Sequence, residues 1–447
     1  MNLVRNYSYY KKLGFNKPES WNSDDLSQFL IWDFLNAYSN TVMGKDIPES
    51  FIADSKYLAE KNSASQMFFD FLDEAIFRLQ VLFNGKQSKK KVLFQNSRCP
   101  SVISETGKNY QIGLIDQGKR DRLFIRKDFS GYMNTNELNR NVFHYLKERN
   151  LKYLYRLIEL VEKRLKIIKP DYIILKNDLL PVEKAIVLVA RKLGITTMEI
   201  QDGILSMKYG PLLEPLMGGK SADYILVWGK HFKDLYVDNN IREPENVYVL
   251  GYPYSPKNQE NKTDKKRNYV VCYLAQDFER FNKNFLKIKI ETVKRLSLIC
   301  KNLGLKFIYR PHPWGEDRVA MENNLSGVEF TKKNERIEET FSRADIFVGY
   351  SSTALVEAAM RKKIVLQLMD LPIELDNLEE LGVCDKSSKS INELESYLTK
   401  MVESPYLKES ALKFNNDYVE TRDTPGNRFL GIISEIEEKK YGKSGRK

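Results

Sequence analysis

The chain has 447 residues, 42% of them hydrophobic and 12% aromatic, which suits two globular cores of about 200 residues each and excludes wholesale disorder. Lysine and arginine outnumber aspartate and glutamate by 71 to 60, and the resulting formal charge of +11 favours anionic partners: nucleotides, acidic glycans or an anionic membrane surface. No zinc-finger spacing, RNA-binding aromatic pair or basic zipper accompanies that charge, so no nucleic-acid partner is expected.

The runs Lys89-Lys90-Lys91 and Lys265-Lys266-Arg267 read as solvated loops. Four scattered cysteines (Cys99, Cys272, Cys300, Cys384) form no C-x-x-C pair, which argues against a disulfide framework or structural zinc and suits a reducing compartment. The opening MNLVRNYSYYKKLGF lacks the apolar run of a signal peptide, and no stretch reaches the roughly 18 apolar residues of a membrane span. A cytoplasmic protein is expected.

In chain order, residues 1–85 read as a helical, aromatic-rich segment, with apolar residues at three- and four-residue steps in SQFLIWDFLNAY and SQMFFDFLDEAIFRLQVLF. Residues 86–255 form a first α/β domain. VLFQNS near 92 and RLFIR near 122 are candidate strands, and a helical stretch over 136–168 stops at Lys169-Pro170. DYIILKND follows as a buried strand, and Pro181 then opens the helix VEKAIVLVARKLG, closed by Gly194. TTMEIQDG and ADYILVWG read as strands, 230–238 as a helix and VYVLGYP as a further strand. This is the rhythm of a parallel sheet covered by helices.

Residues 254–268, YSPKNQENKTDKKRN, are almost without apolar side chains and read as a linker. Over 268–420 the alternation restarts as a second, doubly wound domain. Its elements are NYVVCYLAQ, a helix over 284–303, LKFIYRPHP, GVEFTK, the helix RIEETFSRA, DIFVGYSS, the helix TALVEAAMRKK, and IVLQLMD. A closing helix, TPGNRFLGIISEIEEKK, falls within 421–440.

Ligands of open parallel sheets sit outside the carboxyl ends of the strands, so the polar residues found there are the candidates. In Arg310-Pro311-His312-Pro313 two prolines hold the loop extended and present a guanidinium and an imidazole suited to phosphate; the alternative is a packed loop histidine. In Gly349-Tyr350-Ser351-Ser352-Thr353 hydroxyls and backbone amides meet at a helix N-terminus, where phosphate is attracted, unless they only cap the helix. Glu357, one turn on, suits ribose hydroxyls or simply the helix dipole. The Gly-x-Gly-x-x-Gly pattern of a redox dinucleotide site is missing.

In the first domain, Gln201-Asp202-Gly203 ends a strand. Asp202 suits a general base for an acceptor hydroxyl, and the alternative is an ordinary Asp-Gly turn. Gln201 and Gly203, with Asn177 and Asp178 ending DYIILKND and Tyr252 following VYVLG, are candidates for lining the cleft. No H-E-x-x-H and no Asp-x-Asp at a strand end point to a metal, and no G-x-S-x-G surrounds Ser351.

At these residues the chain resembles the GT-B glycosyltransferases that build bacterial surface polysaccharides. It is similar in motif to capsule-type sialyltransferases and polysialyltransferases, to Kdo transferases, and to CDP-glycerol glycerophosphotransferases. The motifs are Gln201-Asp202-Gly203, His312-Pro313 and Ser351-Ser352-Thr353, in the family's order, and the resemblance spans about residues 170–440. At Gln201 the chain departs from the sialyltransferase motif, in which two acidic residues precede the glycine.

The resemblance implies a GT-B fold: two Rossmann-like domains facing across a cleft, with a helical N-terminal extension. It implies a CMP-, CDP- or UDP-linked sugar bound by 268–420, a glycan or lipid-linked acceptor bound by 86–255, and a last helix packed back on the N-terminal domain. His312, Ser351 and Ser352 would hold the donor phosphate, with His312 also catalytic, and Asp202 would be the base. Transfer would need no metal or cofactor and would serve capsule, O-antigen or teichoic-type synthesis at the inner face of the plasma membrane. Inversion and retention both stay open. A UDP-sugar 2-epimerase uses the same fold, and a non-catalytic glycan- or nucleotide-binding partner is the third possibility.

Overall fold

A computed structural model describes residues 89–95, 99–116, 129–148, 150–205, 218–254, 269–276, 278–280, 284–313, 318–403 and 415–441, together with Leu30 and Glu316. The helical segment expected over 1–85, the candidate strand RLFIR and the linker from 255 onward lie outside the described residues, Leu30 excepted. The chain divides into two compact units. The first is drawn from Met1–Asp202, Pro211–Tyr254 and Val419–Lys447, and the second from Gly203–Gly210 and Ser255–Tyr418.

Unit 1 is built on seven parallel strands: β1 (Lys91–Gln95), β2 (Gln111–Asp116), β3 (Phe129–Asn134), β4 (Tyr172–Leu175), β5 (Thr196–Ile200), β6 (Tyr224–Val227) and β7 (Val247–Val249). Their order in the sheet is β3-β2-β1-β4-β5-β6-β7, so the chain starts at β1, runs outward to β3 and then crosses to β4. The crevice between β1 and β4 is therefore the switch point of this sheet.

Helices α1 (Pro100–Asn109), α2 (Asn136–Glu148), α3 (Lys152–Ile168), α4 (Pro181–Lys192) and α5 (Lys230–Asp238) accompany it. The three- and four-residue steps of Leu154, Leu157, Val161, Leu165 and Ile168 give α3 one buried stripe. It ends on Lys169 in the left-handed region (φ 50°), ahead of Pro170, which has no N–H to continue a helix. In α4 Pro181 supplies a preset first turn and every residue from Pro181 to Ala190 is buried, because α2 and α3 pack on the helix that β5 backs. All residues of β4 and β5 are buried too, as expected for parallel strands covered on both faces.

Unit 2 has six parallel strands: β8 (Val270–Leu274), β9 (Lys306–Arg310), β10 (Glu329–Phe330), β11 (Ile346–Gly349), β12 (Ile364–Leu368) and β13 (Lys386–Ser388), in the order β10-β9-β8-β11-β12-β13. Its helices are α6 (Asn284–Asn302), α7 (Arg318–Asn324), α8 (Ile337–Arg343), α9 (Thr353–Met360) and α10 (Ile391–Glu403). The same winding recurs: β8 is central, β9 and β10 lie to one side, and the chain crosses back to β11.

The last helix, α11 (Pro425–Tyr441), belongs to unit 1, where Phe429, Ile432, Ile433 and Ile436 enter the core. Phe429 meets Phe94 at 5.9 Å between ring centroids, and the Tyr172 hydroxyl donates to Glu437 at 2.6 Å. Gly426 lets α11 lie against α1, since a Cβ there would sit 2.8 Å from the Ser101 carbonyl oxygen. No helix among the described residues is long and apolar enough to cross a membrane.

Candidate functional site

The switch point of unit 2 lies between the carboxyl ends of β8 and β11. Two residues past β8, the side-chain amide of Gln276 spans it. Gln276 Oε1 accepts the Ser351 N–H at 2.7 Å, and Nε2 donates to the Ser351 carbonyl. That double bond sets where the serine loop stands. Ser352 follows as the N-cap of α9, accepting the Ala354 N–H at 3.2 Å, and Thr353 is the first helical residue. Beneath them Tyr350 is buried, its carbonyl accepting Gln367 Nε2 at 2.8 Å, and burial raises its phenol pKa. Further along α9, Glu357 Oε2 lies 3.4 Å from an Arg361 guanidinium nitrogen.

Across the crevice, the loop after β9 carries His312, whose backbone N–H donates to Glu316 Oε2 at 2.7 Å. Glu316 also accepts Lys289 Nζ at 2.6 Å and the Tyr309 hydroxyl. Lys289 pairs with Glu279 as well, and its side chain is 3% exposed against 1% for Glu316. Arg310, expected as a phosphate ligand, is turned to the α8 side. Its guanidinium donates to Thr340 Oγ1 at 2.6 Å and the Glu335 carbonyl at 3.2 Å, and burial lowers its pKa. Alternation along β9 decides this, because Arg310 and the Tyr309 beside it point to opposite faces of the sheet.

In unit 1, Asp202 is exposed at the end of β5, with Oδ2 2.6 Å from the ammonium of Lys176, the residue after β4. Gly203 follows with φ 109°, a conformation open mainly to glycine. Three residues expected to line a cleft are instead inside the unit. Gln201 is 1% exposed, its Oε1 accepting the Trp228 N–H at 2.9 Å and its carbonyl the Trp228 indole N–H at 3.0 Å. Tyr252 stands edge-on to the Trp228 ring at 4.9 Å and is equally enclosed.

Asp178 accepts the N–H groups of Gly219 (3.0 Å), Ala222 (2.8 Å) and Ser221, so a carboxylate that ends a strand clamps the segment leading into β6. Glu199 shares this clamp and accepts the Gly219 N–H at 2.7 Å. Burial first, and the neighbouring Asp178 second, push its carboxyl well above the usual carboxylate range. Gly218 is required there: a Cβ would lie 1.9 Å from Glu199 Oε1.

No motif in the sequence marks Gln276, Lys289, Glu316 or Lys176. One signal was available for Lys289, which falls on the buried stripe of α6 between Phe285 and Val293, a place where an unpaired ammonium would be costly. The four cysteines are buried and in no disulfide, and burial pushes the thiols of Cys272, Cys300 and Cys384 up to about 12. Among the described residues, no three His, Cys, Asp or Glu side chains gather as a metal site.

Two central-start parallel sheets in one chain have solved counterparts. The chain has the two-unit α/β fold of GT-B-like proteins. A putative UDP-N-acetylglucosamine 2-epimerase from Listeria monocytogenes is 13% identical with a TM-score of 0.57, covering 79% of this chain and 98% of its own. UDP-GlcNAc 2-epimerase from Neisseria meningitidis, bound to UDP-GlcNAc, is 16% identical with a TM-score of 0.52, covering 78% and 100%. The UDP-GlcNAc 2-epimerase of Methanocaldococcus jannaschii is similar at 16% identity and a TM-score of 0.52, covering 78% and 99%. At such identities the likeness concerns the fold. No protein-family model matches the chain, and no curated protein matches it.

Proposed function

We propose that unit 2 binds the phosphate of a nucleotide sugar, CMP-, CDP- or UDP-linked, and that the protein transfers the sugar to a hydroxyl of a glycan or lipid-linked acceptor in surface-polysaccharide synthesis. The observation that carries this reading is the Gln276 bridge to Ser351, which holds the serine loop and the start of α9 at the switch point of the sheet. The positive end of the α9 helix dipole, with the Ser351, Ser352 and Thr353 hydroxyls, favours a phosphate, and the His312 imidazole supplies a further donor. These groups stabilise the charge that grows on the phosphate as the bond from the anomeric carbon breaks. Asp202, paired with Lys176, is the base this reading assigns to unit 1, taking the proton of the acceptor hydroxyl as its oxygen attacks. Charge neutralisation by these groups requires no metal, and the net charge of +11 suits work at the anionic inner face of the plasma membrane.

UDP-sugar 2-epimerisation is the second reading, favoured by the names of the solved proteins that share the fold. A thermal-shift series with CMP, CDP, UDP, GDP and dTDP tests both readings. Saturation at a hundred times Kd stabilises the native state by roughly 2.7 kcal/mol, so the preferred nucleotide stands out, and a flat series sinks the nucleotide-sugar proposal. With the matching donor in hand, nucleotide release only on adding acceptor supports transfer. Conversion of UDP-N-acetylglucosamine without acceptor supports the epimerase.

A further inference from the structure

We infer that Glu316 and Lys289 are positioning residues: a buried ion pair that fixes the His312 loop and the Ser351 loop of unit 2 relative to one another for phosphate binding. This rests on the nucleotide reading above.

In Pro311-His312-Pro313 only His312 has a backbone N–H, because proline has none. That single donor goes to Glu316 Oε2 at 2.7 Å. The other oxygen of Glu316 receives Lys289 Nζ at 2.6 Å and the Tyr309 hydroxyl, which ties the loop to α6 and β9. Lys289 in turn reaches toward the Gln276 carbonyl at 3.4 Å, and the Gln276 side chain grips Ser351 on both backbone groups. A continuous chain of contacts thus runs from the backbone of His312 to the backbone of Ser351, through the almost wholly enclosed side chains of Glu316 and Lys289 and the half-buried Gln276.

Stability alone is a poor reason for such a pair. A buried ion pair recovers its desolvation cost only with excellent geometry, and apolar replacements often serve as well or better. Here two carboxylates, Glu279 and Glu316, share one ammonium, and Glu279 Oε2 is buried without a hydrogen-bond partner among the described residues. The arrangement is costly as a core and effective as a brace. Charge-assisted hydrogen bonds to a carboxylate are short and directional, which is what holding two loops in register needs.

The test compares Glu316→Gln with the wild type in calorimetric titrations. The ligands are the nucleotide that stabilises the wild type most and its parent nucleoside. Glutamine keeps the shape and an acceptor for His312 but loses the charge that holds Lys289. Loss of one charge-assisted contact predicts nucleotide binding weakened about ten- to a hundredfold, with the nucleoside changed by less than about twofold. Lys289→Met is expected to show the same split.

Equal weakening of both ligands, or of neither, overturns the inference while leaving the nucleotide reading intact. If the wild type binds no nucleotide, that reading falls and this inference with it. Should Glu316→Gln not fold, Tyr309→Phe removes one hydrogen bond to the same carboxylate and is judged by the same split.

Discussion

Replacing Glu199 by Gln isolates the cost of a carboxyl group enclosed in unit 1. Glu199 is wholly buried beside Asp178, and its carboxyl is held well above its usual 4.5, chiefly by burial and then by the Asp178 charge. The native state therefore keeps a proton that the unfolded chain releases above that usual value. Across the window from 4.5 up to the raised native value, folding takes up one proton, so stability falls as pH rises. One proton corresponds to about 1.4 kcal/mol per pH unit.

Glutamine has no proton to lose in this window. Its oxygen can accept the Gly219 N–H and its amide can donate to Asp178, in the manner of the protonated acid. Urea unfolding of wild type and variant at about pH 5, 6 and 7 is the assay, read as the difference between the two at each pH. The variant should gain on the wild type as pH rises through this window, by at most about 1.4 kcal/mol per unit. A constant penalty for the extra amide hydrogen leaves that slope untouched. Parallel pH dependences would refute the reasoning, because Glu199 would then hold no proton that the unfolded chain lacks.

Ser352→Ala removes the hydroxyl that caps α9 and should cost about 1 kcal/mol in urea unfolding, together with weaker nucleotide binding. A stability loss with nucleotide affinity unchanged would confine Ser352 to capping. Lys176→Met breaks a partly exposed ion pair and should change stability by less than about 1 kcal/mol. It should slow transfer far more than Lys176→Arg does; equal rates for both variants would remove Lys176 from the chemistry of Asp202.

Much of the architecture was legible because burial leaves a local record. YIIL is apolar throughout since helices cover β4 on both faces, and Pro181 marks the start of α4 since its missing N–H costs nothing there. The loops after β5, β9 and β11 were found because polar residues follow apolar strands. Less visible are β2 (QIGLID), whose apolar run is broken by a glycine and flanked by polar residues, and β13 (KSS), which has no apolar residue although Ser387 and Ser388 are buried. The strand read from GVEFTK is two residues long and lies at the edge of its sheet.

By itself the sequence determined two α/β halves of parallel strands and the loops on which polar chemistry stands, because periodicity and prolines act within a few residues of themselves. Tertiary structure alone decided which of those polar residues are free to act. Gln201 stands where a cleft residue is expected, yet Trp228, just past the next strand, engages its side chain and its carbonyl, and Asp178 is spent on a segment some forty residues on. Conversely, Gln276 meets Ser351 across 75 residues, and Glu316 meets Lys289 across 27. Hydrogen bonds and ion pairs of that span are settled by which strand ends and helices the sheets bring side by side, which no local pattern of residue types records.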